Sequence, residues 1–374
     1  MLRYHNVTNL VLYRKYRPKA FSEVIGQEHV VRTLSNAIAG SLISHAYLFC
    51  GPRGSGKTTI ARLLAKAVNC QDQKGSEPCN KCSSCLEINE GRAIDLIEID
   101  AASSGGIDEI RELREGIRFA PAKSKYKVFI IDECHQLSKE AANALLKTLE
   151  EPPSHAVFIL ATTEIQKMIP TIISRCQKFD FRKLTIDEMV RRLEFISKAE
   201  KAKIEKPALE LIALNSAGSL RDAESLLNKV LNFSGLEKEI KKEDIIGILG
   251  LVDTQVMVQL ADYIAERKMD LALEFLGKTL EKGFDPEVLS KSLIEYFRKI
   301  LILKVNPDLQ NTVIQGFNEE EKKHIEKHLS VFTLAEIHRL MTILISASNQ
   351  MKYSPIPQLP LELAIVEGLQ KEEK

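Results

Sequence analysis

Five short stretches with strand character punctuate the first half of the chain. Ala46–Cys50, Val128–Ile131 and Ala156–Ala161 are continuous apolar runs, the pattern of strands buried on both faces. Ile94–Asp100 alternates apolar and acidic positions, and Phe179–Phe181 makes a short last strand. Helical spacing fills the gaps. Val30, Leu34 and Ile38 share a face that Gly40 stops, and Thr59–Val68 has the length and spacing of an amphipathic helix. Ala101–Gly106 reads as a flexible turn before a helix holding Ile110, Leu113 and Ile117. Ser138 opens a helix over 139–151 that Pro152-Pro153 ends. Strands separated by helices predict a mainly parallel sheet with both faces covered.

From Thr185 onward the strand signals cease. Lys206-Pro207 starts a helix with Ala208, Leu211 and Ile212 on one face, and Ser219 caps another that begins at Leu220. Gly247–Gly250 reads as a hinge. Beyond it come helical faces at Val256, Leu260, Ala261 and Ile264, at Leu271, Phe275 and Leu276, and at Leu289, Leu293 and Phe297 behind Asp285-Pro286. Gln310–Glu320 is a polar connection, helices follow to Met351, and Leu361–Val366 adds a short apolar segment. His324 and His328 stand one helical turn apart with no further metal ligand in view, so a solvated face is expected there. No internal repeat or low-complexity tail is present.

Composition narrows the function by exclusion. In 374 residues, 52 Lys and Arg offset 51 Asp and Glu, so any nucleic-acid contact must be local rather than driven by net charge. The amino end is too polar for a secretory signal, and no apolar run is long enough to span a bilayer, which predicts a soluble, cytoplasmic protein. Seven cysteines, four of them crowded into positions 70–85, favour metal over disulfides in a reducing compartment.

The chemistry is concentrated in Gly51-Pro52-Arg53-Gly54-Ser55-Gly56-Lys57-Thr58, which satisfies G-x-x-x-x-G-K-[S/T] between a buried strand and a helix. Glycines let the backbone curl around phosphate, and the helix start offers unpaired N–H groups to an anion. In this arrangement Lys57 reaches the β- and γ-phosphates and Thr58 holds Mg²⁺. Asp132 and Glu133 end a buried strand one strand–helix–strand unit downstream, where Asp132 can hold Mg²⁺ and Glu133 can polarise the attacking water. A hydroxyl at Thr162-Thr163 can orient that water, although strand ends often carry threonine for its β propensity. Cys70, Cys79, Cys82 and Cys85 supply four thiolates, a closed tetrahedral set for structural Zn²⁺, while Cys50, Cys134 and Cys176 read as core residues. Arg221 sits on the first turn of its helix, against the helix dipole, which hints at a functional charge.

Assembled, these motifs resemble the gamma/tau family of clamp-loader ATPases of bacterial DNA polymerase III. The resemblance is carried along nearly the whole chain by Tyr13–Pro18, Val24–Gln27, the phosphate loop, the cysteine quartet, Ile99–Ser103, Asp132-Glu133, Ala144–Pro153, Ser174-Arg175-Cys176 and Gly218–Asp222. It implies a P-loop AAA+ parallel-sheet module over 1–184 with a zinc module inserted at about 70–85. A small helical lid over 185–248 and an all-α collar over 249–374 would follow. It also implies that Val24 and Ile25 line the adenine pocket of a site completed by Thr59. Thr162 becomes the first sensor and Arg221 the second, and Arg175 becomes an arginine finger acting in trans on a neighbouring subunit, a device that accelerates GTP hydrolysis by about 10³–10⁵. The implied activity is ATP hydrolysis within the polymerase holoenzyme, used to open a sliding clamp (beta) and load it onto primer–template DNA. The partners would be other gamma/tau copies, delta and delta-prime, with association to the nucleoid. DNA contacts would fall mainly on the phosphate backbone. The chain stops after the collar, so the extensions by which longer members bind polymerase and helicase are not expected. Two other readings compete: a different AAA+ DNA remodeller, against which the cysteines and Ser-Arg-Cys argue, and a nucleotide-binding ring scaffold, against which intact Lys57, Thr58, Asp132 and Glu133 argue.

Overall fold

The computed structural model describes residues 11–104, 116–117, 119–234, 239–250, 252, 254–309, 313 and 319–370. Its chain divides into two compact units, Met1–Glu237 and Lys238–Lys374.

The first unit is built on a five-stranded parallel sheet of β1 (Ala46–Cys50), β2 (Leu96–Asp100), β3 (Lys127–Asp132), β4 (Ala156–Thr162) and β5 (Gln177–Asp180), in the order β2-β3-β4-β1-β5. The side-chain period of two explains how it is covered. Tyr47, Phe49, Val128, Ile130, Val157 and Ile159 point to one face, against Val30, Leu34, Ile60 and Leu64 of α1 (Glu28–Ala39) and α2 (Lys57–Val68). Ala46, Leu48, Phe129, Ile131, Phe158 and Leu160 point to the other. There they meet Leu145 and Leu149, which lie on the later helix Lys139–Glu150. All five expected strands form, and the continuous apolar runs are the deeply buried ones, whereas β2 is only half-buried.

Further helices follow the chain. Between α2 and β2 lies α3 (Ser83–Asn89), and before β4 comes α4 (Lys139–Glu150), whose cap Ser138 accepts from the Ala141 N–H. After β5 the chain enters α5 (Ile186–Ala199), α6 (Lys206–Asn215) and α7 (Leu220–Ser234). Ala101–Ser104 is one turn of helix rather than a flexible turn, because Asp100 Oδ1 accepts the Ala102 N–H at 3.0 Å. Of the helix expected next, Ile110 and Leu113 lie outside the described residues and Ile117 is buried.

The regular elements of the second unit among the described residues are helices: α8 (Lys242–Leu249), α9 (Thr254–Ala265), α10 (Met269–Glu281), α11 (Pro286–Val305), α12 (Glu319–Val331), α13 (Leu334–Met351) and α14 (Leu359–Leu369). Its core gathers Leu260, Leu276, Leu293, Phe297, Ile325, Leu340 and Ile365. Two expectations are corrected here. Gly247 lies inside α8, and only Gly250, at φ 64°, ends it. The His324/His328 pair is not on a solvated face, because His328 is 0% exposed. It falls one turn after Ile325 on the same stripe. Its Nδ1 meets Tyr296 Oη at 2.8 Å and its Nε2 meets Asp262 Oδ1 at 3.1 Å, while Lys327 Nζ donates to the same Asp262 oxygen at 2.6 Å. Burial holds the imidazole below its ordinary pKa. The stretch at 310–318 lies almost wholly outside the described residues, and no single described helix is long and apolar enough to cross a membrane.

Candidate active site

The carboxyl end of β1 delivers the chain into the glycine loop, where open parallel sheets bind their ligands. Close approach explains two of the glycines. A Cβ on Gly51 would collide with the Phe181 carbonyl, and one on Gly54, at φ 72°, would collide with Ser219 Oγ. The loop crest therefore rests on the start of α7, where the Leu220 N–H donates to Gly54 O at 3.2 Å. Lys57 is nearly buried and its ammonium donates to Gly51 O at 2.8 Å and Pro52 O at 3.0 Å. Burial lowers its pKa, and the nearby Glu133 and Asp132 carboxylates oppose that shift.

The acidic pair arrives on β3. Thr58 Oγ1 donates to Asp132 Oδ2 at 2.6 Å, bringing together one hydroxyl and one carboxylate, the oxygen ligand types that a hard divalent cation takes. Glu133 stands in the left-handed region at φ 48°, a conformation uncommon outside glycine, which turns the backbone away from the strand direction. Its Oε2 accepts from the Thr163 hydroxyl at 2.8 Å and from the Thr163 N–H at 3.3 Å. The Thr162 hydroxyl is turned elsewhere: it meets His135 Nδ1 at 3.0 Å and accepts the Glu164 N–H at 3.0 Å. His135 is almost wholly enclosed, with ring nitrogens 3.5 Å from Glu133 Oε2 and 3.4 Å from Glu164 Oε1.

Lys57, Thr58, Asp132 and Glu133 border one cleft that also takes in Val24, Ile25, Arg53–Gly56, Thr59 and Arg221. Gly51 and Pro52 lie beneath the loop as carbonyl acceptors, and neither Thr162 nor Arg175 lines the cleft. Arg175 instead sits before β5, where its guanidinium donates to Glu150 Oε1 at 2.7 Å and Thr171 O at 2.9 Å. Arg221 lies over the Tyr13 ring, 5.0 Å from its centroid, and that contact lowers the Tyr13 pKa. Arg192 and Glu224, both buried, pair at 3.2 Å on the inner side of α5 and α7, and Arg192 also reaches Tyr16 O. Burial pushes Glu224 up to about 7 against the pull of Arg192.

His135 and Glu224 carry no motif signal in the sequence, and Gln27 only closes the Val24–Gln27 segment. Gln27 is wholly buried, and its amide bridges Ser55 O at 3.3 Å and Arg182 O at 2.8 Å, joining the loop to the strand that leads into α5. Its buried amide follows Gly26 in a short segment otherwise marked only by Val24-Ile25. The sequence carried no stronger signal.

Away from the cleft, the ligand atoms of Cys70, Cys79, Cys82 and Cys85 lie within 4.8 Å of one another. Cys79 Sγ and Cys85 Sγ are 4.0 Å apart, close to the separation that two thiolates about 2.3 Å from one tetrahedral zinc would have. Amide donors from Lys81 and Cys82 lower the Cys79 thiol to about 6, the direction that favours a thiolate ligand. Cys50 and Cys134 are buried, and Cys176 is partly so.

Comparison with known proteins gives these elements a family. The profile of the DNA polymerase III delta subunit matches residues 26–185, that of the clamp-loader subunit ATPase lid domain 188–235, and that of gamma and tau domain III 240–370. The tau subunit of Bacillus subtilis is 44% identical over 95% of the chain and that of Escherichia coli 36% over 96%. The chain spans only 62% and 55% of their lengths. The gamma subunit of Buchnera aphidicola from Acyrthosiphon pisum is 36% identical over 95% of the chain and is itself covered over 97%. With a parallel P-loop sheet, a lid and a helical unit matched in that order, the chain belongs to the DNA polymerase III gamma/tau subunit family of AAA+ clamp-loader proteins.

Proposed function

We propose that this chain is an ATP-hydrolysing motor subunit of the polymerase III clamp loader. The observation that carries the reading is the 2.6 Å contact between Thr58 and Asp132 beside the glycine loop, with Glu133 as the next residue. Thr58 and Asp132 would hold Mg²⁺, which when bound neutralises charge on the phosphates. The loop amides of Arg53–Thr59 cradle the β- and γ-phosphates. Lys57 exchanges its two carbonyl partners for phosphate oxygens, and Val24 and Ile25 face the adenine. Glu133 takes the proton of the attacking water. Its present bonds to Thr163 support a role for that hydroxyl in aiming the carboxylate, with Thr162 acting behind it through His135. Arg221 is drawn from the Tyr13 ring to the γ-phosphate, and Arg175, outside its own cleft, completes the site of a neighbouring copy. Zinc held by the four cysteines is structural, since four thiolates leave no open position.

In this role residues 1–184 form the motor domain, 185–248 the lid and 249–374 the collar. ATP binding, in a ring with other copies, delta and delta-prime, opens the beta clamp and grips primer–template DNA in the nucleoid, and hydrolysis releases the clamp. Steady-state turnover tests this. With delta and delta-prime present, clamp and primed DNA together should stimulate ATP hydrolysis strongly, and Glu133→Gln should abolish it. Turnover indifferent to clamp and primer would point to another remodeller, and ATP binding without turnover to a scaffold.

A further inference from the structure

The cysteine module is tied to the wall of the nucleotide cleft at two points. Between Cys70 and Cys79 the backbone folds into a tight turn, Lys74–Glu77, closed by paired bonds of 3.4 and 3.2 Å. The turn presents Glu77, whose two carboxylate oxygens accept the N–H groups of Phe21 and Ser22, each at 2.8 Å. Those amides open the 3₁₀ turn Phe21–Glu23 and have no partner within it. The second tie is Lys66, nearly buried on α2. Its ammonium donates to Asn80 Oδ1 at 2.7 Å and Asn89 Oδ1 at 2.9 Å beside the cysteines, and to Lys19 O at 2.7 Å. Both ties end on Lys19–Ser22. Just beyond Ser22, Val24 and Ile25 line the cleft.

We propose that the metal-bound cysteine module positions the adenine side of the cleft, with Glu77 and Lys66 as the positioning residues. The module buries little apolar surface of its own, so its shape depends on the metal closing the loop. Zinc at the four thiolates fixes both ends of the Glu77 turn and the Asn80 bend. These in turn hold the Lys19–Ile25 segment against the sheet, where the Phe21 ring is buried. The inference rests on reading the cleft as an ATP site. It adds that zinc and nucleotide are thermodynamically linked, each favouring the other's binding by the same factor.

The test uses the full chain, a fluorescent adenine nucleotide and a colorimetric zinc chelator. Glu77→Ala should weaken nucleotide affinity by roughly tenfold, the scale of a lost partner behind a ligand shell, with Glu77→Gln intermediate. Amide exchange over 19–25 should quicken in step. Stripping zinc from the wild type should reproduce the loss, and stripping it from Glu77→Ala should add less than it costs the wild type, the Lys66 tie to Asn80 remaining. In the reciprocal direction, nucleotide should tighten zinc binding to the wild type more than to Glu77→Ala. If the wild type binds no nucleotide, the ATP reading falls and this inference with it. If the wild type binds but Glu77→Ala and zinc-free protein bind equally well, the coupling alone is overturned.

Discussion

A single backbone step separates the two threonines at the end of β4, and that step divides their work. Thr162 is the last strand residue and points its hydroxyl at His135, whereas Thr163 stands beyond the strand and bonds Glu133 through both hydroxyl and amide. The Thr163 amide bond survives any side-chain change, so Thr163→Val removes only the hydroxyl from Glu133 while keeping shape. It should leave nucleotide affinity within about twofold and lower turnover by at most about 100-fold, the floor of what a general base contributes, because Glu133 itself stays in place. Separate measurement of Kd and kcat decides it. Equal losses in both would mean the hydroxyl contributes to binding instead. The phosphate loop and the acidic pair were legible in the sequence because their chemistry requires fixed residues at fixed spacing. The division between the threonines was not, because a hydroxyl's direction follows from where the strand ends, and strand ends are set by tertiary contacts. His328 was misread for a related reason. Helical spacing marks a shared face but does not say which face a polar residue joins once Tyr296 and Asp262 supply partners from other helices.

At the scale of elements, one carboxylate gathers several bonds at the joint between the sheet and α5. Glu188, on the first turn of α5, completes a capping box with Thr185 and takes two bonds from Arg182, at 2.6 and 2.9 Å. It also lies so close to Gly26 that a Cβ there would sit 3.0 Å from its Oε2. The Arg182 guanidinium and the cap hold this carboxyl at about 2, below an ordinary value of 4.5. The folded joint therefore binds a proton more weakly than the unfolded chain. Its stabilisation is fully present above pH 4.5 and is lost as pH falls toward 2. Glu188→Gln should cost about 1.5–3 kcal/mol near pH 7, the range for hydrogen bonds to a charged group. The gap between the melting temperatures of variant and wild type should then narrow as pH drops below 4.5. A gap that does not change with pH would mean the charge is immaterial. The α5 stretch shows which elements hide from sequence. The strands announce themselves as apolar runs. A half-exposed helix with Arg182 and Glu188 beside its start reads as polar surface until the cap partners are seen together. Ala101–Ser104 was hidden likewise, its helical turn resting on the single Asp100 cap.

At the scale of the whole molecule, the proposed role of Arg175 in trans calls for a second copy. Lys57, Thr58, Asp132, Glu133 and Arg221 gather on one cleft, yet Arg175 lies outside it, half-buried and bonded to Glu150 and Thr171. A cation placed there cannot serve its own nucleotide, so hydrolysis should depend on assembly. Arg175→Ala should leave nucleotide affinity of the isolated chain unchanged, because no cleft-lining group is altered. Within the assembled ring, turnover should fall by about 10³, the low end of the effect of a trans arginine in GTPases. Mixing supplies the sharper measurement. Adding an Arg175→Ala, Glu133-intact copy to an Arg175-intact, Glu133→Gln copy should restore part of the turnover, since an intact arginine then meets an intact carboxylate across one junction. Mixtures as inactive as either parent would place Arg175 in structure rather than catalysis, and its bond to Glu150 would then be the reason for its conformation.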